Sequence, residues 1–311
     1  MRIPENFKEK RKVIIKLLKE GHTFRGIKRI VNSNTRTIKK IAVLEKIPFK
    51  TLSEKKRIYN VNHSFFNKID TEEKAYILGL FYADGCNFTK RSCISISLQE
   101  NDVDILEKIK NHLFIDDKYQ LKPVKISKNS LSKKLQIKLA ITSKEMSDNL
   151  VRLGCINKKS LLITYPSENL LPKHLFHHFL RGVSDGDGWI GNANICIAGT
   201  FTFCKYIQEN LQSLLNIKGH LRITHNNGVT SSLEIGGNLQ VDKYLDFLYK
   251  DATIYLDRKY NKFIERKEKR DIILNTPKLI NYCKEPNCNI PKRAKGFCMK
   301  HYDFYRRNKN K

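Results

Sequence analysis

Over the first fifty residues, apolar positions recur at helical spacing. In KEKRKVIIKLLKE (8–20), Val13, Ile14, Leu17 and Leu18 follow the i, i+3, i+4 pattern. Gly21 is placed to end that helix and Thr23 to cap the next, whose apolar side is Ile27, Ile30 and Val31. Asn32-Ser33-Asn34 reads as a turn. TRTIKKIAVLEK (35–46) predicts a third helix, with Ile38, Ile41 and Val43 or Leu44 inward and Arg36, Lys39 and Lys40 outward.

Further on the period changes. An apolar, small-residue helix ends in ILGLFYADG (77–85), followed by the alternating strand CISISL (93–98). A helix at 102–114, strands near 121–127 and 135–142 and a helix at 144–153 come next. The order then repeats: LRGVSDGDG (180–188), the strand NICIAG (194–199), a helix at 203–216, strands near 219–224 and 230–235, and a helix at 240–250. Gly79 and Gly182, Asp84 and Asp187, and Gly85 and Gly188 are each 103 apart, a period that signals a duplicated half-domain. Each half reads as helix, two strands, helix, two strands, helix. The expected fold class is α+β with pseudo-two-fold duplication.

Charge divides the 311-residue chain differently. The net charge is +28. Residues 1–60 hold 18 Lys+Arg against 5 Asp+Glu, and 258–311 hold 17 against 5, so almost all the excess flanks a nearly neutral middle. Such flanks suit a polyanionic partner. No run of eighteen apolar residues occurs, so no membrane span is expected. MRIPENFKEKRK carries no apolar core of a signal peptide, so a cytoplasmic protein with thiol or metal-bound cysteines is expected. The expected layout is a small all-α domain over 1–50, a linker over 51–70, half-domains over 71–165 and 166–270, and a basic tail over 278–311.

The repeated motifs have their own logic. Gly79 and Ala83, like Gly182 and Gly186, line one helix face with small residues, which lets two helices meet backbone to backbone. Gly85 and Gly188 are expected to terminate those helices. Asp84 and Asp187 fall at helix carboxyl ends, where the dipole already disfavours anions, so a pair brought together calls for a divalent cation. The pair of motifs resembles the LAGLIDADG homing endonucleases in their single-chain, two-motif form. The departures lie at Ile77, Leu78, Phe81 and Tyr82 and at Arg181, Val183, Ser184 and Gly186, and spare both penultimate aspartates. The resemblance spans roughly 70–265 and implies a saddle of two αββαββα halves on the DNA major groove. It also implies Mg²⁺-dependent double-strand cleavage by metal-assisted phosphodiester hydrolysis, with Asp84 and Asp187 as metal ligands beside Gly85 and Gly188. The family places a lysine near each metal. Lys159 and Lys259 follow their aspartates by 75 and 72 residues and are the candidates. Asp185, Trp189 and His174, His177 and His178 are expected to serve packing and helix surface.

Alternation along the strands nominates DNA-facing residues: Ser95, Ser97, Gln99, Gln136 and Lys138 in the first half, and Asn192, Asn194, Arg222 and Thr224 in the second. The three amino-terminal helices resemble a helix-turn-helix, with Arg36, Lys39 and Lys40 toward DNA. In the tail, Cys283, Cys288, Cys298 and His301 have the spacing of a structural Zn²⁺ site. Phe297, Tyr302, Phe304 and Tyr305 are expected to pack around it, with Lys292, Arg293, Lys295, Arg306 and Arg307 free for phosphate. The tail looks like the Cys₃His modules appended to phage-borne endonucleases. Cys86, Cys93, Cys155, Cys196 and Cys204 are expected in the core. With both motifs on one chain, a monomer acting on double-stranded DNA is expected. A cleavage-inactive regulator and an intron RNA maturase are the alternatives.

Overall fold

The computed structural model describes residues 5–49, 59–124, 134–225, 229–275 and 281–308. Part of the expected linker (51–58), part of the strand near 121–127 and both ends of the tail lie outside them. The chain forms two compact units, one of residues 1–60 with 116–119, the other of 61–115 with 120–311.

The smaller unit holds three helices: α1 (Glu5–Lys19), α2 (Phe24–Val31) and α3 (Thr35–Leu44). Gly21, at φ +81°, turns the chain out of α1, and Thr23 accepts the Gly26 N–H to start α2. Asn32 is left-handed, and Asn34 caps α3 by accepting from Arg36 N at 2.9 Å. The core is Ile14, Leu18, Ile27, Val31, Ile38, Ile41, Ala42 and Ile47. Ile30, Val43 and Leu44 point outward, against expectation, and Ala42 takes the inward position. A three-helix packing leaves room for a methyl where α3 approaches its neighbours, and 100° per residue then carries 43 and 44 to the surface.

The larger unit repeats one topology. First come α4 (Glu72–Ala83), β1 (Gly85–Phe88), β2 (Cys93–Gln99), α5 (Val103–Leu113), β3 (Lys122–Pro123), β4 (Gln136–Thr142) and α6 (Lys144–Arg152). Then come α7 (Phe176–Asp187), β5 (Gly188–Ile190), β6 (Asn194–Thr200), α8 (Phe201–Leu215), β7 (Gly219–His225), β8 (Thr230–Gly236) and α9 (Asn238–Leu248). Both antiparallel sheets have the same order, β1-β2-β4-β3 and β5-β6-β8-β7, so the duplicated αββαββα core is present. Ile94, Ile96, Leu139 and Ile141 pack one face of the first sheet, and Ile195, Ile197, Leu233 and Ile235 one face of the second. Beyond the core lie α10 (Asp257–Asn275) and, in the tail, α11 (Met299–Asn308). Among the described residues, no helix is long and apolar enough to cross a membrane.

The halves join along α4 and α7. A Cβ built on Gly79 would sit 2.0 Å from the Phe179 carbonyl oxygen, and one on Gly182 2.0 Å from that of Tyr76. Only glycine permits this approach. Thr71 caps α4, and Glu72 and Glu73 occupy its first turn, favourable to the helix dipole. Gly85 and Gly188 stand where the two helices end, as expected, but neither is left-handed: Gly188 is extended (φ −89°, ψ 142°), and each glycine opens a strand. Their smallness serves packing instead, since added Cβ atoms would meet Phe81 Cα at 2.5 Å and Ser184 O at 2.4 Å.

Candidate functional site

The seam delivers the two motif aspartates to one place. Asp84 is the residue that closes α4, and Asp187 is the last of α7. A Cβ on Gly186, next to Asp187, would lie 2.3 Å from Ala83 Cβ and 2.7 Å from Asp84 Oδ2, so the helix ends converge at the carboxylates. Protein around the Asp84 carboxyl, and then the charge of Asp187, push its pKa up to about 6 against the pull of Lys159 and Lys259. The Asp187 carboxyl is raised as well, by its surroundings. Both residues nonetheless reach solvent, which screens part of the repulsion. The pair can share the site at neutral pH at a cost that a cation removes. Paired carboxylate oxygens at two negative helix ends form a donor set that fits a hard divalent ion.

Lys159 and Lys259 are brought to this place, but they are buried there. Lys159 Nζ donates to the carbonyls of Ala83 (3.1 Å) and Gly85 (2.7 Å). Lys259 Nζ donates to those of Ser184 (2.5 Å), Asp185 (2.9 Å) and Gly188 (2.6 Å). Each ammonium therefore satisfies carbonyls at the end of a motif helix and offsets its dipole. The carbonyls of Gly85 and Gly188, expected near a metal, accept from these lysines. Burial lowers the Lys259 pKa to about 8.

Two clefts flank the seam. One, of about 270 Å³, is lined by Asp187, Lys159 and Ser160 together with Thr224, Thr230 and Ser231 of the second sheet. The other, of about 190 Å³, is lined by Asp84, Asp102, Asp185 and Arg258 with Ser97, Gln99 and Gln136 of the first. Arg258 grips Asp102 through two hydrogen bonds, at 2.7 and 3.1 Å. Sequence reasoning missed Arg258, Asp102 and the hydroxyls of Ser160, Thr230 and Ser231, because only the fold brings these segments to the aspartates.

The strand register puts the nominated residues on one face of each sheet. Ser95, Ser97 and Gln99 pair with Ala140, Lys138 and Gln136, all opposite the packed face. Ser95 is buried there, so it offers little surface for contact. In the second sheet Asn194 pairs with Gly236 and Arg222 with Ser232. Arg222 reaches Glu234 at 3.7 Å, and Thr224 lies at an irregularity in β7. Asn192 is exposed beyond β5. Trp189, expected to pack, is 56 % exposed on this open face opposite Cys196. Alternation alone could have found it, since Ile190 beside it is buried. Cys86 is exposed and Cys93 and Cys196 half-buried, while Cys155 and Cys204 are in the core as expected. His178 packs against Arg181, but Asp185 is fully internal rather than on a helix surface.

In the tail, Cys283, Cys288, Cys298 and His301 come together, their ligand atoms all within 4.8 Å of one another. Cys283 Sγ and Cys298 Sγ are 3.3 and 3.5 Å from His301 Nδ1, and Cys288 Sγ is 3.9 Å from Cys298 Sγ. A tetrahedron with Zn–S and Zn–N bonds of ordinary length has edges of roughly 3.4–3.8 Å; three of the separations here approach them, so the Cys₃His set can hold a metal ion. Phe297 stacks on Tyr305, whereas Phe304, expected to pack, is 69 % exposed. Lys292, Arg293, Arg306 and Arg307 are exposed, as are Arg36, Lys39 and Lys40 in the smaller unit.

No family model matches the sequence, and no curated protein matches it. Among solved structures, the full-length DUF199/WhiA protein from Thermatoga maritima is similar at 16 % identity and TM-score 0.43, over 80 % of this chain and 71 % of that one. The LAGLIDADG meganuclease I-AabMI bound to uncleaved DNA is similar at 14 % identity and TM-score 0.42, over 64 % of this chain and 90 % of that one. I-SmaMI bound to an uncleaved DNA target with calcium ions also has 14 % identity and a TM-score of 0.42, over 67 % and 92 %.

Proposed function

We propose that this chain is a site-specific DNA endonuclease of the homing type that cuts both strands with Mg²⁺. The observation that carries the reading is the convergence of Asp84 and Asp187 at the solvent-open end of a glycine-tight helix seam, with a buried lysine behind each. Asp84 and Asp187 would hold the metal, which when bound neutralises charge on the phosphate and acidifies the attacking water. The chain's own groups do the rest. Lys159 and Lys259 hold the helix ends at which the carboxylates stand and contribute positive charge beneath the phosphate. The two sheet faces, with Gln99, Gln136, Lys138, Asn194 and Arg222, track the duplex. Because both halves lie on one chain, a monomer suffices.

The flanks extend the grip. An eight-residue α2, a three-residue turn and a ten-residue α3 have the proportions of a helix-turn-helix, with Arg36, Lys39 and Lys40 exposed on α3. A zinc-bound tail would present Lys292, Arg293, Arg306 and Arg307 to phosphate. Tethering adds affinity beyond any single contact.

The test is cleavage of a randomised duplex library in Mg²⁺, in Ca²⁺, and by the Asp84→Asn/Asp187→Asn variant. Discrete double-strand cuts that need Mg²⁺ and both aspartates support the reading. Selective binding with no cut in any condition supports a second reading, a DNA-binding regulator on this scaffold. One observation favours that second reading: both lysine ammoniums are engaged by backbone carbonyls.

A further inference from the structure

The two halves secure their lysines by different means. In the first half, neutral groups tie down the segment that leads to Lys159: Tyr82 Oη donates to Leu153 O (2.5 Å) and Asn87 Nδ2 to Cys155 O (3.0 Å). In the second half, buried Arg181 and Asp185 and the largely covered Glu72 hold residues 248–256, which lead to Lys259. Arg181 has no exposure at all. It donates to Leu248 O (2.7 Å), Ile254 O (3.0 Å) and Glu72 Oε1 (2.5 Å). The same Glu72 oxygen accepts the N–H groups of Thr253 (2.6 Å) and Ile254 (3.3 Å). Asp185, also buried, accepts the N–H of Leu256 (2.9 Å) and the hydroxyl of Tyr76 (2.8 Å). Leu256 O in turn accepts the N–H of Lys259 at 3.0 Å. Groups from both seam helices thus fasten one stretch of backbone immediately before the lysine.

Among its described residues, the first half shows no such arrangement of buried charges. One repeat earlier, Arg181 corresponds to Leu78 and Asp185 to Tyr82. A buried ion pair is a weak source of stability, since well-packed apolar side chains serve as well or better. It does impose geometry: a guanidinium fork and a carboxylate with fixed partners admit one backbone path. We propose that Glu72, Arg181 and Asp185 are positioning residues for Lys259, acting on the second half's site and not on the first's. The consequence for cleavage rests on the endonuclease reading above: the strand served by Lys259 is cut under the control of this network, and the other strand is not.

The full-length Glu72→Gln/Arg181→Met variant tests this, because it removes both charges of the Glu72–Arg181 pair together, while Asp185 keeps its hydrogen bonds to Leu256 and Tyr76. Lysine accessibility is read by amine labelling with peptide mapping. Lys259 is expected to label faster, on the order of tenfold, while Lys159 stays protected. Strand-resolved cleavage is expected to leave a nicked duplex, one strand slowed on the order of 10–100-fold and always the same strand. Protection of Lys259 unchanged, both lysines released together, or equal slowing of both strands overturns the proposal. Should the wild-type protein cut no duplex while Lys259 alone is released, the endonuclease reading falls and the positioning role stands.

Discussion

At the scale of single residues, Asp84 and Asp187 are placed where charge is costly. Replacing either by Asn is expected to abolish double-strand cleavage while leaving DNA binding within a few-fold, as read by gel shift and strand-resolved cutting. The same change is expected to raise the thermal midpoint of the metal-free protein at pH 7–8, by roughly 2–4 °C for about 1 kcal/mol of relieved repulsion. The pH dependence has a definite sign. The Asp84 carboxyl is raised in the folded protein to about 6, so the folded state binds more protons than the unfolded chain between about pH 4 and 6. Its contribution to stability is present below that window and is lost as pH rises through 6. In chelator, the midpoint difference between Asp84→Asn and wild type should therefore widen from pH 4.5 to 7. Buried Arg181 makes the opposite case. Arg181→Met alone strands the Glu72 charge and should cost about 3–5 kcal/mol in denaturant unfolding, with the paired Glu72→Gln change recovering much of it.

Among the elements, the α4–α7 seam decides where everything else stands. Gly182→Ala puts a methyl into the Tyr76 carbonyl, so the helices must separate. The expected cost is about 1–3 kcal/mol or more, measured by urea unfolding, with cleavage lost disproportionately because the aspartates move apart. The helices and most strands were legible from the chain: capping by Thr23, the alternation in CISISL and the 103-residue period all correspond to observed elements. Side-chain direction at helix ends was less legible. The apolar pattern predicts Val43 or Leu44 inward, yet helical geometry admits only one stripe, and Ala42 occupies it while both of them are exposed. Gly85 and Gly188 mark the helix ends as their positions suggest, but the need for glycine there comes from close approach to the preceding turn, which excludes a Cβ.

At the scale of the whole molecule, the tail helix buries none of its residues, so the tail is expected to depend on a metal held by its Cys₃His cluster more than on a core. A zinc-specific chelator is expected to unfold residues 281–308 alone, seen as loss of helical circular dichroism with the core's thermal transition unchanged. DNA affinity should fall with it, and the salt dependence of binding should flatten as phosphate contacts are lost. The spacing of Cys283, Cys288, Cys298 and His301 was enough to name this cluster, because four ligands within nineteen residues have few other ways to meet. The same holds for the duplication and its two aspartates, which are carried by a local motif written twice. Matching offsets named Lys159 and Lys259, but that their ammoniums are buried and cap helix ends, and that Arg181 and Glu72 join across the seam, depend on long-range packing. Those partners lie 71 to 109 residues apart, a separation over which helical or strand periodicity carries no information. Local patterns specify elements because backbone geometry repeats every few residues, whereas the surroundings of a buried charge are set by whichever distant segments close over it.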